Sequence, residues 1–183
     1  MEGFDRLLAY LKELGVDGRA DGFEQRIRIQ KLAYLLGELF GRPVAGDFNF
    51  YVRGPYSHEL AVQYYDRRTA HREYALGAGE KEELDRLKGQ VGELSATMLE
   101  IMASLRWLQK VQGLREDAAE RRLKEIKPYL KIEDIWWGTQ LLKMFMLRKA
   151  DAKRIMKGMA GEMKLWDDAA AEDWEKFVKR YRV

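Results

Sequence analysis

Apolar residues recur at helical spacing along most of the chain. Leu7, Leu8, Tyr10, Leu11 and Leu14 mark one face of a helix over residues 4–14, closed by Gly15. A second helix is predicted over residues 24–40. Ile29, Leu32, Leu36 and Leu39 form its buried stripe, and Gly41, Pro43 and Gly46 break it. The period then changes. Phe48, Phe50 and Val52 alternate with Asn49, Tyr51 and Arg53, which predicts a short aromatic strand. Gly54-Pro55 reads as a hard turn, and Ser57 as the N-cap of a helix running to about Arg68. Residues 73–76 read as a second short strand, followed by a charged helix start at Glu80 with Leu84 and Leu87 inward.

Beyond Gly92 the pattern is helical throughout. Leu94, Met98, Ile101, Leu105 and Leu108 mark a long amphipathic helix ending near Gly113. Residues 115–127 form a charged helix with a narrow apolar edge, stopped by Pro128. Residues 132–148 carry Ile135, Trp136, Leu142, Phe145 and Met146, and two further helices are predicted from Asp151 onward. The expected fold class is α+β and predominantly α-helical, a small two- or three-stranded sheet packed on helices. That order of elements suggests a winged-helix-like core with a C-terminal helical extension. The expected division is residues 1–147 and 148–183.

Composition narrows the chemistry. The 183 residues include no cysteine, which excludes disulfides, thiolate metal sites and cysteine nucleophiles. His58 and His71 are the two histidines, too few for a histidine-rich metal centre. Gly77-Ala78-Gly79 lacks the third glycine and the lysine of a phosphate-cradling loop, and reads as a turn. Glu59 follows His58, but helical neighbours point about 100° apart and form no ready dyad. The acidic pairs Glu133-Asp134 and Asp167-Asp168 fall at helix starts, where the dipole favours them. No catalytic residue, metal ligand or cofactor is expected; a metal-dependent nuclease is the least supported class. The acidic start, Met-Glu-Gly-Phe-Asp-Arg, lacks the apolar core of a secretory signal. No apolar stretch approaches the ~20 residues of a bilayer span. The expected location is the cytoplasm, with no membrane partner.

The net charge is only +3, so a nucleic-acid footprint must be local. Arg26, Arg28, Arg53, Arg67, Arg68 and Arg72, interleaved with tyrosines, are the candidates for phosphate contact and stacking. A solvated charged surface explains them equally well. The C-terminal part concentrates methionine with Trp136, Trp137, Trp166 and Trp174, a composition that suits either core packing or self-association. Trp136 and Trp137 are adjacent and cannot share one inward face.

Two motifs occur in order. The helix reads Arg26-Ile-Arg-Ile-Gln-Lys-Leu-Ala-Tyr-Leu-Leu36, and the segment after it reads Phe48-Asn-Phe-Tyr-Val-Arg-Gly-Pro-Tyr-Ser-His-Glu-Leu60. The pair resembles the YwgA-like proteins and the Panacea (SocA-like) antitoxin domain. Gln30, Lys31, Leu32, Tyr34, Gly54, Pro55, Tyr56, Ser57 and Leu60 stand at the shared positions. Residues 99–108 and 123–128 are also similar to the YwgA-like proteins, so the resemblance spans roughly residues 26–147. It implies a non-enzymatic module that neutralises a partner toxin by direct binding or delivers it to a protease. The long helical C-terminus departs from the antitoxin pattern.

Leu32 and Leu60 read as core, whereas Gln30, Lys31 and Tyr56 carry polarity that a core does not need. The expected partner surface therefore runs from Gln30, Lys31 and Tyr34 across Tyr51, Arg53 and Tyr56 to Glu59. Tyr51 and Tyr56 would anchor the partner, a toxin or client protein, and Lys31 and Arg53 would steer an acidic one. The alternative is a winged-helix-like nucleic-acid-binding regulator that uses the six arginines.

Overall fold

A computed structural model describes residues 2–44, 46–65 and 72–148, with Asp151, Arg154, Ile155 and Lys157 beyond them. The chain divides into two units, Met1–Met146 and Leu147–Val183. Most of the second unit lies outside the described residues, and with it the expected C-terminal helices and Trp166 and Trp174. Arg67, Arg68 and His71 lie outside them too.

The first unit is predominantly helical with one small antiparallel sheet. In chain order it runs α1 Glu2–Glu13, α2 Phe23–Phe40, β1 Asn49–Tyr51, β2 Gly54–Tyr56 and α3 His58–Tyr65. Then come α4 Ala78–Glu93, α5 Ala96–Val111, α6 Glu116–Ile126 and α7 Ile132–Met146. Local signals set the ends. The Ser57 hydroxyl accepts from the Leu60 N–H at 3.2 Å, and the Ser95 hydroxyl accepts from the Met98 N–H at 3.1 Å. Gly41, in the left-handed conformation, closes α2. Glu80 turns its carboxylate back on the Gly77 N–H at 2.9 Å, and α4 begins at Ala78, so Ala78 and Gly79 are the start of a helix rather than the expected turn.

Two helices are enclosed by the others. Every residue of α2 from Ile29 to Leu36 is buried, and so are Leu99 to Leu105 of α5. α5 packs against α2, α6, α7 and β2. At Gly138 of α7 an added Cβ would strike Ile101, so the α7 backbone lies directly on α5. Full enclosure has a consequence for polarity. Gln30, Lys31, Glu100 and Ser104 lie on these two helices with 2% exposure or less. Such groups call for partners inside, which Gln30, Lys31 and Glu100 have, whereas the Ser104 hydroxyl makes no hydrogen bond among the described residues.

The sheet departs from expectation in two ways. The turn is Val52-Arg53, not Gly54-Pro55. Gly54-Pro55-Tyr56 is itself the second strand, paired Asn49↔Tyr56, Phe50↔Pro55 and Tyr51↔Gly54. Gly54 has φ +81°, and the space a Cβ would need is taken by the Ser104 hydroxyl of α5. This glycine therefore permits both the local backbone conformation and the close approach of β2 to α5. The alternation ends at the turn, and Val52 is 85% exposed.

Residues 73–76 are not a strand. Tyr74 and Leu76 pack on the core and alternate with exposed Glu73 and Ala75, but among the described residues no strand pairs with the segment.

Gly54→Ala should lower the unfolding free energy by about 2 kcal/mol. Adding Ser104→Ala, which removes the hydroxyl and keeps the α5 backbone helical, should recover the part owed to the contact. Gly113→Ala, at φ +64° with nothing near its Cβ, should cost less. Urea unfolding of the set decides it: equal losses at both glycines, with no recovery, would mean that the Ser104 contact contributes nothing.

Candidate functional site

The hairpin is tied to α2 and α5 by side chains that the sequence reading had assigned to a surface. Gln30 uses both ends of its amide on one residue: Nε2 donates to the Ser57 carbonyl at 2.9 Å, and Oε1 accepts the Ser57 N–H at 2.9 Å. Lys31 Nζ donates to the Pro55 carbonyl at 2.6 Å. The expectation that the core has no use for this polarity is corrected. Gln30 and Lys31 act as a lateral strand would, satisfying the backbone at β2 and the start of α3.

Below the hairpin lies a buried ionic cluster. Glu100 of α5 is 1% exposed and pairs with Lys127, also 1% exposed, just after α6. Lys127 Nζ also donates to the Val52 carbonyl at 2.9 Å. The Tyr129 hydroxyl donates to Glu100 at 3.1 Å, and the Arg53 guanidinium lies 3.4 Å from its other oxygen. Burial lowers the pKa of Lys127, with Arg53 adding to the effect and Glu100 opposing it. Burial brings Lys31 down to about 7; Glu100 pulls it back up, while Lys127 and Arg53 push it further down. Burial, then Glu100, raises the Tyr129 hydroxyl above its usual range.

Above this floor is a cavity of about 340 Å³ between α2, the hairpin and α3. Its walls are Phe23, Ile27, Tyr51, Tyr56, Tyr64 and Tyr65, and its charged groups are Arg26, Lys31 and Arg53. Tyr51 and Tyr56, cross-strand neighbours on one face, stack edge-on at 5.4 Å. Phe23 is 60% exposed, with Arg53 at 5.9 Å and Arg26 at 6.0 Å from its ring centre. No Asp or Glu lines this cavity among the described residues.

Of the expected partner residues, Gln30, Lys31, Tyr51, Arg53 and Tyr56 meet at this cavity. Lys31 meets it as a buried floor rather than a steering cation, because its ammonium is held on the Pro55 carbonyl. Two of the expected residues lie elsewhere. Tyr34 packs edge-on against Phe48 at 5.3 Å and lines a separate cavity beside Glu38. Glu59 is exposed and lies over Gly46. Tyr64 and Tyr65, two of the tyrosines interleaved with the arginine set, line it as well, and Phe23 and Ile27 join them from outside the expected site residues. The signal missed was Phe23, an aromatic residue outside the apolar stripe of α2.

The arginine set is also divided. Arg28 caps α4, its guanidinium on the carbonyls of Leu94 and Val91, so it is not presented for phosphate contact. Arg26 and Arg53 flank Phe23, while Arg72 is exposed away from any described ion pair. His58 is exposed in the first turn of α3. Trp136 and Trp137 are both exposed and stack on each other at 4.9 Å. Among the described residues no three acidic or histidine side chains converge as a metal site would require. No described helix is long and apolar enough to cross a membrane. No family model, curated protein or solved structure matches the chain.

The depressed Lys31 has a sign that can be measured. Its folded pKa, about 7, lies below the value of 10.5 for a free lysine. Between these values the unfolded chain holds the proton and the folded chain does not, so stability should rise with pH from about 7 toward 9.5. The slope approaches ~1.4 kcal/mol per pH unit at most. Lys127 contributes in the same direction. Urea unfolding at pH 7, 8 and 9 should show a shallower rise for Lys31→Met than for the wild type. Parallel curves would show that Lys31 is not desolvated.

Proposed function

We propose that the protein is a non-enzymatic interaction module that binds a partner protein through the aromatic cavity between α2, the hairpin and α3. The observation that carries this reading is the cavity itself: exposed Phe23, Tyr51 and Tyr65 surround a depression with cationic groups and no acid among its described lining residues. Tyrosine and arginine at a concave, partly desolvated patch are the residue types that anchor protein contacts. The antitoxin or adaptor role follows from the resemblance of the α2 and hairpin motifs to the Panacea and YwgA-like proteins. Those motifs supply most of the cavity lining, to which Phe23, Tyr64 and Tyr65 are added from outside them. The partner, on this reading, is a toxin or client protein.

A second reading, a winged-helix-like nucleic-acid binder, draws on Arg26 and Arg53 either side of an exposed ring that a base could stack upon. It loses Arg28 to the α4 cap and has no second strand over residues 73–76 to complete a wing.

A tagged pull-down from native lysate, split into nuclease-treated and untreated halves, separates the two. The interaction reading predicts a stoichiometric protein that survives nuclease and is retained at least about tenfold less by Tyr56→Ala, with that variant still folded. Retention that is equal in the folded variant would remove Tyr56 from the surface. Recovery of nucleic acid, with partners lost on nuclease treatment and on raising salt, would favour the second reading.

A further inference from the structure

The cavity and the cluster beneath it are unbalanced in charge. Lys31, Arg53 and Lys127 surround the single carboxylate of Glu100, and Arg26 adds a fourth cation at the cavity. Arg26 donates to the Ala20 carbonyl at 3.3 Å and makes no ion pair among the described residues. Lys31 Nζ is an amine with 2% exposure whose one hydrogen-bond acceptor among the described residues is Pro55 O. An ammonium has three donors, so two have no hydrogen-bond acceptor among the described residues. A buried cation in this condition is costly, and an added anion would offset that cost. The walls around it are tyrosine, phenylalanine and isoleucine side chains. At about 340 Å³ the space admits one or two large side chains rather than a folded surface.

We infer that the cavity takes an extended segment of the partner protein in which an acidic side chain stands beside a large apolar one. The carboxylate enters toward Lys31 between Arg26 and Arg53, and the apolar side chain lies on Tyr51 and Tyr56. This inference rests on the interaction reading and adds the chemistry of the ligand. A phosphodiester chain fits less well, because it asks for a row of surface cations and Arg28 is already committed to α4. The bound carboxylate would meet the charged groups facing Lys31 from each side: Arg53 of the turn, Glu100 of α5 and Lys127 after α6. It would favour the protonated Lys31, so binding should take up a proton and tighten as pH falls from 8.5 to 6.

The full chain would be screened against a displayed library of random dodecapeptides. Enriched peptides should carry Asp or Glu within two residues of an aromatic or large aliphatic residue. A fluorescein-labelled member, followed by anisotropy, should bind about tenfold more weakly when its acid is changed to the amide. Arg26→Gln, which touches no buried ion pair, should weaken it several-fold, and Arg53→Gln similarly. Lys31→Met should abolish the tightening between pH 8.5 and 6. Enrichment without acids, no enrichment, affinity unchanged in Arg26→Gln and Arg53→Gln, or displacement of the peptide by a single-stranded oligonucleotide would each overturn the inference. The lysate pull-down keeps the two levels apart. A Tyr56-dependent partner without acidic-peptide binding would leave the interaction reading standing and remove only this one.

Discussion

The hairpin depends on polar side chains that the surrounding helices hold out of water. Two strands of three residues are too short to persist alone. Here the missing neighbours are supplied by Gln30 on Ser57, Lys31 on the Pro55 carbonyl and Lys127 on the Val52 carbonyl. Gln30 and Lys31 come from the enclosed α2, and Lys127 directly follows α6. Lys127 is in turn fixed by Glu100 of α5, so the hairpin is registered on α2, α5 and the end of α6 at once. Removing one partner of such a buried pair leaves a charge uncompensated, typically at a cost of about 3–5 kcal/mol. An arrangement with that penalty tolerates few alternatives in the position of the hairpin.

The same tether shapes the cavity. Drawing β2 onto α5 through Gly54 and Ser104 sets Tyr51 and Tyr56 opposite Phe23 and Ile27 of α2. The turn residue Arg53 then reaches both Glu100 and the Phe23 ring. Arg53 and Lys127 thereby share one carboxylate, with Lys31 near it, beneath an aromatic wall. Positioning and charge imbalance are two results of one packing solution. On the proposed reading, that is how the domain offers a defined ligand site.

Much of this was legible in the sequence, unevenly. The helices were, because their apolar stripes are long and their ends carry Ser57, Gly41 and Pro128. The hairpin turn was misplaced because Gly-Pro is ordinarily a turn signal; here Gly54 meets a steric demand from Ser104, which is distant in sequence. The alternation at residues 73–76 was real, but alternation reports one-sided burial and not the presence of a pairing strand. The cavity was half visible: Gln30, Lys31, Tyr51, Arg53 and Tyr56 stood out through their motif, whereas Tyr34, one turn further along α2, packs on Phe48, and Glu59 of α3 lies over Gly46. The buried cluster had a signal. Lys31 sits within an unbroken buried run and Glu100 lies between Leu99 and Ile101. A charge among such neighbours implies an interior partner. Which partner is a matter of tertiary packing, since Glu100 and Lys127 come from different helical segments.

The central claim is that buried polar groups, rather than strand pairing alone, hold the hairpin and its cavity. Amide hydrogen exchange in the double variant Glu100→Leu/Lys127→Met tests it most directly. Replacing both partners avoids a lone buried charge, so the core should survive. The account predicts exchange at least about tenfold faster from Tyr51 to Ser57, with the amides of Leu99 to Leu105 as slow as in the wild type. Unchanged protection across the hairpin would contradict it.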